Sequence, residues 1–326
     1  RNGEGMKYCT IDTSGTRFSR IAYGTTYIGT VIDTHTSLRL LERFVELGGT
    51  TIDTARVYGQ NATGQLSVSE QLIGEFLRSS GMRNQLAIVT KGAHPDIPTK
   101  RGRLTRNDLR QDLKQSLDAL GCSHIDLYFL HRDDPTIPVE EVVDMVDDVC
   151  DPRLVTSVGV SNWSIPRIER ARAYAEANGK RPFIASEIQW SLASCTPESY
   201  GDTTVVCADN QIVNWHESQQ FPLFAFSSQA KGLFSKSIAH GRQALNKKIR
   251  NRFLTPENWQ RVERAGLLAQ QLGTTVASVV LSYITSSSFP SIAIIGSSTI
   301  EQLEDSLENC DLVLSEEQRS FLLSGM

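Results

Sequence analysis

Eight times along this chain a short apolar run, rich in β-branched residues, is followed by a stretch with the spacing of an amphipathic helix. The runs are 20–22, 50–53, 86–90, 125–131, 156–160, 183–189, 223–227 and 292–295. Most are apolar almost without a break, as strands are when they pair in parallel and helices cover their faces. Eight β-then-α units in succession predict an α/β fold closed into a (β/α)8 TIM barrel rather than an open sheet.

Helix signals fall between the runs. Leu38, Leu41 and Val45 mark one face of the first helix, which stops at Gly48-Gly49. Leu109, Leu113, Leu117 and Leu120 repeat along another, with Gly121 as its stop. Ile165, Ile168, Ala171 and Ala175 mark a third, with Pro166 in its first turn and Gly179 at its end. Ser298-Thr299-Ile300-Glu301 and Ser315-Glu316-Glu317-Gln318 read as capping boxes opening the last two helices. Ahead of the first unit, 7–11 and 16–20 flank Ser14-Gly15 and predict an N-terminal β-hairpin across the barrel bottom. Segments 191–221 and 231–256 exceed ordinary connections, and long excursions of this kind often serve function. No Pro/Gly linker divides the chain, so 1–326 is read as a single domain, with Met6 as the expected native start and 1–5 foreign to it.

Of the 326 residues, 40% are hydrophobic and 21% charged, and the net charge is −4. A chain of this length buries a core without disulfides or metals. Its acidic balance lacks the basic face of a nucleic-acid binder, and no apolar run is long enough to span a membrane. Cys9, Cys122, Cys150, Cys195, Cys207 and Cys310 are scattered, with no C-x-x-C pair. They read as free thiols of a cytoplasmic protein rather than a disulfide framework or metal site. Asn61-Ala-Thr and Asn162-Trp-Ser fit the glycosylation pattern but carry no weight without a secretion signal.

Chemistry in such a barrel gathers at the C-terminal ends of the strands. Asp53 closes the second strand, with Tyr58 five residues on; Lys91 closes the third and His131 the fourth. Singly, these are ordinary: a turn carboxylate, a packing tyrosine, a rim lysine, a structural histidine. On three neighbouring strands they converge. A phenol of ordinary pKa ~10 is a poor acid at neutral pH. A buried ammonium beside it lowers that value, and a carboxylate keeps the ammonium charged. A neutral imidazole orients a carbonyl.

Gly49-Thr-Thr-Ile-Asp53-Thr-Ala-Arg-Val-Tyr58-Gly59 resembles the G-x-x-x-x-D-T-A-x-x-Y-G segment of the aldo-keto reductases. The stretch Leu109-Arg-Gln-Asp-Leu-Lys-Gln-Ser-Leu-Asp-Ala-Leu followed by Ile125-Asp126-Leu-Tyr-Phe-Leu-His131, and then Val158-Gly159-Val-Ser161-Asn162-Trp163, are similar to the same family's next segments. The resemblance runs from about 19 to 306 in the family's order. It implies a catalytic tetrad of Asp53, Tyr58, Lys91 and His131: Tyr58 gives a proton to the carbonyl oxygen, Lys91 and Asp53 tune it, and His131 orients the substrate. It implies that Ser161, Asn162 and Gln189 hold a nicotinamide carboxamide and that Gly24 and Thr25 lie beside its ribose. Phe226 takes the stacking place where many members have Tyr. Ser227, Ser228, Gln229 and Lys231 reach the pyrophosphate. Gly296, Ser298, Gln302 and Asp305 form the last contact, at a helix N-terminus suited to an anion. Many members grip the 2′-phosphate of NADPH there with Lys and Arg, where this chain has Gly296 and Gln302. NADPH remains the expected cofactor and NADH the alternative. Neither a G-x-G-x-x-G nor a P-loop motif competes.

The expected partner is a small-molecule carbonyl substrate; the sequence fixes no oligomeric state. A second reading is an NADPH-binding regulatory subunit of the same fold. A third, a metal-dependent barrel, lacks the clustered ligands it needs: the six histidines show no H-x-H or H-x-x-x-H spacing. Tyr23, Thr26, Tyr27, His94, Arg132 and Trp163 are candidates for the pocket wall. Arg132 is expected to pair with Asp133 or Asp134.

Overall fold

The computed structural model describes residues 5–326. The reading of 1–5 as foreign to the native chain falls almost wholly outside them. Two short strands, β1 (Tyr8–Cys9) and β2 (Phe18–Ser19), precede β3 (Ile21–Gly24), β4 (Thr51–Asp53), β5 (Ala87–Gly92), β6 (Ile125–Leu130), β7 (Val155–Ser161), β8 (Ser186–Gln189), β9 (Leu223–Phe226) and β10 (Ser291–Ile295). Strands β3 to β10 pair in parallel and in chain order, and β10 returns to β3 to close the ring. Ala293 faces Ile21 at that seam, and Ile295 faces Tyr23. All eight expected strands are present, with ends displaced by up to three residues.

Strand alternation divides the apolar residues into two cores. Ala22, Val89, Leu127, Phe129, Phe224, Ile292 and Ile294 fill the barrel, while Ile21, Tyr23, Ile88, Tyr128, Leu130 and Ile295 meet the helices outside. The hairpin is shorter than expected, pairing only Tyr8 with Ser19 and Cys9 with Phe18. It still closes the barrel bottom. Phe18 joins the inner core, its ring 6.0 Å from that of Phe224. The Ser19 hydroxyl accepts from the amides of Thr50 and Thr51, both at 3.0 Å.

The first helix, Thr34–Glu46, is capped by Asp33 and buries Ser37, Leu40, Leu41 and Phe44. Leu38 and Val45, expected on the inner face, are only half-buried. Phe44 sets the rotation: its ring packs 5.7 Å from that of Tyr23, over Gly49, where a Cβ would come within 2.2 Å of it. The helix Arg106–Leu120 buries Leu109, Leu113 and Leu120 and ends at Gly121 with φ 62°. Ser315 caps the last helix, with Gln318 completing the box. For the helix Ile300–Leu307, Thr299 and not Ser298 is the cap. The long excursions are partly regular, holding the helices Asn210–Gln219, Leu233–His240 and Lys247–Phe253. Among the described residues no single helix is long and apolar enough to cross a membrane.

Candidate active site

Val89 and Lys91 share the inward face of β5, so the lysine stem runs up the barrel interior and ends among polar groups. Lys91 is only 1% exposed. Its ammonium donates to the Asp53 carboxylate at 2.6 Å, the Thr54 carbonyl at 2.9 Å and the Tyr58 hydroxyl at 3.4 Å. A second carboxylate, Glu187 on β8, lies 3.2 Å away. Burial alone would strip the proton from such a lysine, but Asp53 and Glu187 outweigh it and hold the ammonium above its ordinary pKa. Lys91 lies inside β5, one residue before its end, and His131 follows the last residue of β6.

Tyr58 hangs in the turn after β4, which its amide closes on the Ala55 carbonyl at 3.0 Å. Gly59 makes the turn possible. Its φ is 95°, and a Cβ there would come within 2.5 Å of Val68. The phenol stands at about 12, raised by burial, with Lys91 opposing. The ammonium therefore lowers this pKa as expected, but burial wins the sum in the free protein. The His131 ring meets Tyr58 edge to face, 6.0 Å between centroids, and His94 at 4.7 Å. Burial, then His94, Arg132 and Lys91, depress His131 well below the usual histidine range, so the imidazole is neutral at physiological pH. Its Nδ1 is buried and has no protein partner.

Three acidic groups that sequence reasoning missed support this cluster. Glu187 is the nearest: a charged residue in the middle of a buried strand was the one signal it gave. Asp112 holds Arg103 through two bonds of 2.7 and 2.8 Å, Arg56 at 3.1 Å and the Ala93 amide at 2.9 Å. It thereby clamps both the turn before Tyr58 and the chain just past Lys91. Glu70 accepts from Thr90, beside Lys91, at 2.6 Å.

The residues expected to meet a cofactor lie around the same mouth. On the β7–β8 side, the Ser161 hydroxyl donates to the Glu187 carbonyl at 2.9 Å, and the Asn162 side chain accepts from the Val206 amide at 3.0 Å. Gln189 accepts from the Cys195 thiol at 3.2 Å, and Cys207 lies 3.4 Å beyond that sulfur; all six cysteines are free thiols. Across the mouth, Thr25 donates to the Asp53 carbonyl at 2.9 Å. Gly24 lets β3 approach β10, for a Cβ would meet Ile294 at 2.7 Å. Phe226 presents a partly exposed ring; Ser227 bonds Tyr200 at 3.0 Å and Ser228 the Ile294 carbonyl at 2.7 Å. Gln229 reaches Ser306 at 3.1 Å. Gln302 accepts from the Ser298 amide and hydroxyl, both at 3.0 Å, while Gly296 faces open space and Asp305 is exposed. Asn162, Ser227 and Lys231 all have positive φ, at 59°, 52° and 57°. Non-glycine residues held there are a form of backbone strain that gathers at ligand sites. Lys231 is exposed, and Arg252 and Lys248 act on it as neighbouring charges, so positive charge is crowded at this end of the mouth.

Two candidates for the pocket wall belong to the packing outside the barrel instead. Tyr23 is fully buried against the helices, its hydroxyl bonded to the Ser297 carbonyl at 2.9 Å, and Trp163 packs on Phe183. Arg132 pairs with Asp202 of the long excursion at 3.2 Å, not with its neighbours; Asp133 is taken by Arg167. Surface concavities of about 540 and 670 Å3 lie elsewhere, between outer helices, and none of the tetrad lines them.

A closed parallel barrel with this cluster at its mouth defines a class, and comparison with known proteins gives the same one. The model of the Aldo/keto reductase family matches residues 20–322, and the chain belongs to that family. Aldo-keto reductases are oxidoreductases that in general use nicotinamide cofactors. The chain is 29% identical over 307 residues to an aryl-alcohol dehydrogenase [NADP(+)] of Phanerodontia chrysosporium, covering 89% of this chain and 76% of that one. Against the aldo-keto reductase YhdN of Bacillus subtilis identity is 33% over 185 residues, covering 54% and 53%. The solved structure of a thermostable aldo-keto reductase, Tm1743, shares the fold, with a TM-score of 0.73, 23% identity and coverage of 98% and 99%.

Proposed function

We propose that this protein reduces an aldehyde or ketone to an alcohol with hydride from NADPH, with Tyr58 as the general acid. The observation that carries the reading is the buried Lys91 ammonium joined at once to Asp53 and the Tyr58 hydroxyl. When bound, the nicotinamide supplies the hydride. Tyr58 gives its proton to the carbonyl oxygen, and the phenolate left behind is stabilised by the ammonium 3.4 Å away. Asp53 keeps that ammonium charged and aimed. Neutral His131 orients the carbonyl without competing as an acid.

The residues at the mouth suit the cofactor. Ser161, Asn162 and Gln189 offer the donors and acceptors an amide needs, Phe226 offers a ring face, and Lys231 with Arg252 and Lys248 offers positive charge for phosphates. The cofactor in the name of the Phanerodontia relative favours NADPH over NADH. Free thiols suit a cytoplasmic location. The test is a nucleotide fluorescence titration, NADPH against NADH, followed by a panel of aldehydes. Tight NADPH binding with consumption supports the reading, and no binding of either nucleotide overturns it.

A second reading rests on one relative, a probable voltage-gated potassium channel subunit beta of Oryza sativa, 25% identical over 319 residues. On it, the barrel binds NADPH chiefly as a regulatory partner. Tight binding without consumption across the panel would favour it.

A further inference from the structure

Asp53 and Glu187 enclose one ammonium. Their side chains are 2% and 3% exposed and that of Lys91 1%, so the three exchange almost nothing with water. With both carboxyls ionised the cluster carries a net negative charge in a medium that tolerates none. One proton more makes it neutral. Asp53 has the shorter contact to Lys91, 2.6 against 3.2 Å. The ionised carboxyl is therefore Asp53, and the extra proton belongs to Glu187. The other carboxyl oxygen of Glu187, Oε2, is buried and has no partner, which a neutral acid endures at far lower cost than a carboxylate does.

We propose that Glu187 is a fifth functional group of this site: a neutral buried acid whose ionisation sets a second negative charge beside Lys91, weakens that lysine's support of the Tyr58 phenol, and so sets the alkaline limit of turnover. The groups facing it are few. Asp53 comes from β4, Lys91 from β5 and Tyr58 from the turn after β4; its partners in the barrel wall, Ser161 and Phe224, do not titrate in this range. Burial, with Asp53 adding to it and Lys91 opposing, raises the Glu187 carboxyl to about 8. Below that pH the ammonium answers to one carboxylate and to the phenol. Above it two carboxylates share the ammonium, and the added negative charge raises the Tyr58 pKa further, making the phenol a poorer acid. Glu187 touches Lys91 and not the reacting atoms, so it is a positioning residue.

The inference rests on Tyr58 being the proton donor in carbonyl reduction, and its test has one arm that needs no turnover. In infrared difference spectra of the whole protein, wild type should show the C=O stretch of a buried carboxylic acid that disappears on titration through about pH 8 and is missing from Glu187→Gln. In the second arm, turnover at saturating NADPH is followed against pH, each protein normalised to its own maximum. Wild-type turnover should fall about tenfold per pH unit above the break, as expected for one essential proton. Glu187→Gln, which cannot ionise, should lose that limb, and Glu187→Asp should keep a limb at a displaced pH. An acid band that survives in Glu187→Gln, or a limb unchanged in that variant, overturns the proposal. If no carbonyl is reduced but the band behaves as described, the function reading fails while the neutral acid stands.

Discussion

Lys91→Met deletes the charge that organises the site and keeps the length of the side chain. Asp53 and Glu187 then face each other in the barrel with no counter-ion. Stranding a buried charge in this way costs on the order of 3–5 kcal/mol. The folded variant escapes part of that by taking a proton onto Asp53 as well. The sign of the pH effect follows. An ordinary carboxyl in the unfolded chain titrates near ~4. In the folded variant Asp53 stays protonated well above that, so the unfolded state binds fewer protons and stability falls as pH rises. In wild type Glu187 is already raised to about 8, and burial raises Asp53 as well, with Lys91 opposing. Lys91→Met removes that opposition and raises Asp53 further. The stability gap between the two proteins should therefore be smallest in acid, where Asp53 is protonated in both, and widen by about 1.4 kcal/mol for each pH unit once Asp53 has ionised in wild type, until it ionises in the folded variant. Denaturant unfolding at a series of pH values reads this directly. A gap that stays constant, or narrows as pH rises, would refute the view that Lys91 compensates two buried carboxyls. Turnover should fall in the same variant by roughly 10²–10⁴-fold, because the phenolate loses its charge partner.

Tyr58→Phe should cut turnover by a similar ~10²–10⁴-fold while nucleotide fluorescence still reports binding; turnover like wild type would remove Tyr58 from the role of acid. Lys231→Met should bind nucleotide less tightly, because an exposed positive charge beside the phosphates is lost; an unaltered affinity in that variant would rule the lysine out. This appears in the dissociation constant, whereas the Glu187 limb appears in turnover at saturation. Asp112→Ala strands Arg56, 5% exposed, and leaves Arg103 only Asp108, at 3.1 Å; it should cost about 3–5 kcal/mol in unfolding experiments, and a loss under ~1 kcal/mol would mean the clamp is replaceable.

The barrel was legible because parallel strands covered by helices must be apolar throughout, and no other element of that length has this composition. The meeting of Asp53, Tyr58, Lys91 and His131 was legible because they stand at or just past the ends of neighbouring strands. Where local pattern allowed two answers, the sequence could not choose. Leu38, Leu40, Leu41, Phe44 and Val45 all fit a helical stripe, and only the ring of Phe44 over Gly49 selects the face. Ser298 and Thr299 are adjacent hydroxyls, either able to cap. Arg132 found its partner 70 residues away, in Asp202, beyond the reach of any local rule. Glu187 escaped because a carboxyl inside an apolar run names no partner until Lys91 is seen opposite it.

The seam between β3 and β10 has a consequence for how the chain is made. Arg20 donates to the carbonyls of Thr285, Ser287 and Phe289, and Lys7 to that of Leu312, so the start of the barrel is held by residues synthesised long after it. Until those emerge from the ribosome, β3 and β9 are open edges of an incomplete sheet, with backbone amides and carbonyls free to pair with other chains. Sealing the ring also closes a loop of about 270 residues, yet the entropy of closure grows only with the logarithm of length. The hazard is thus one of waiting time more than of free energy. Slowed translation just before β10 should lower the yield of folded protein by aggregation, even for a sequence whose finished barrel is fully stable.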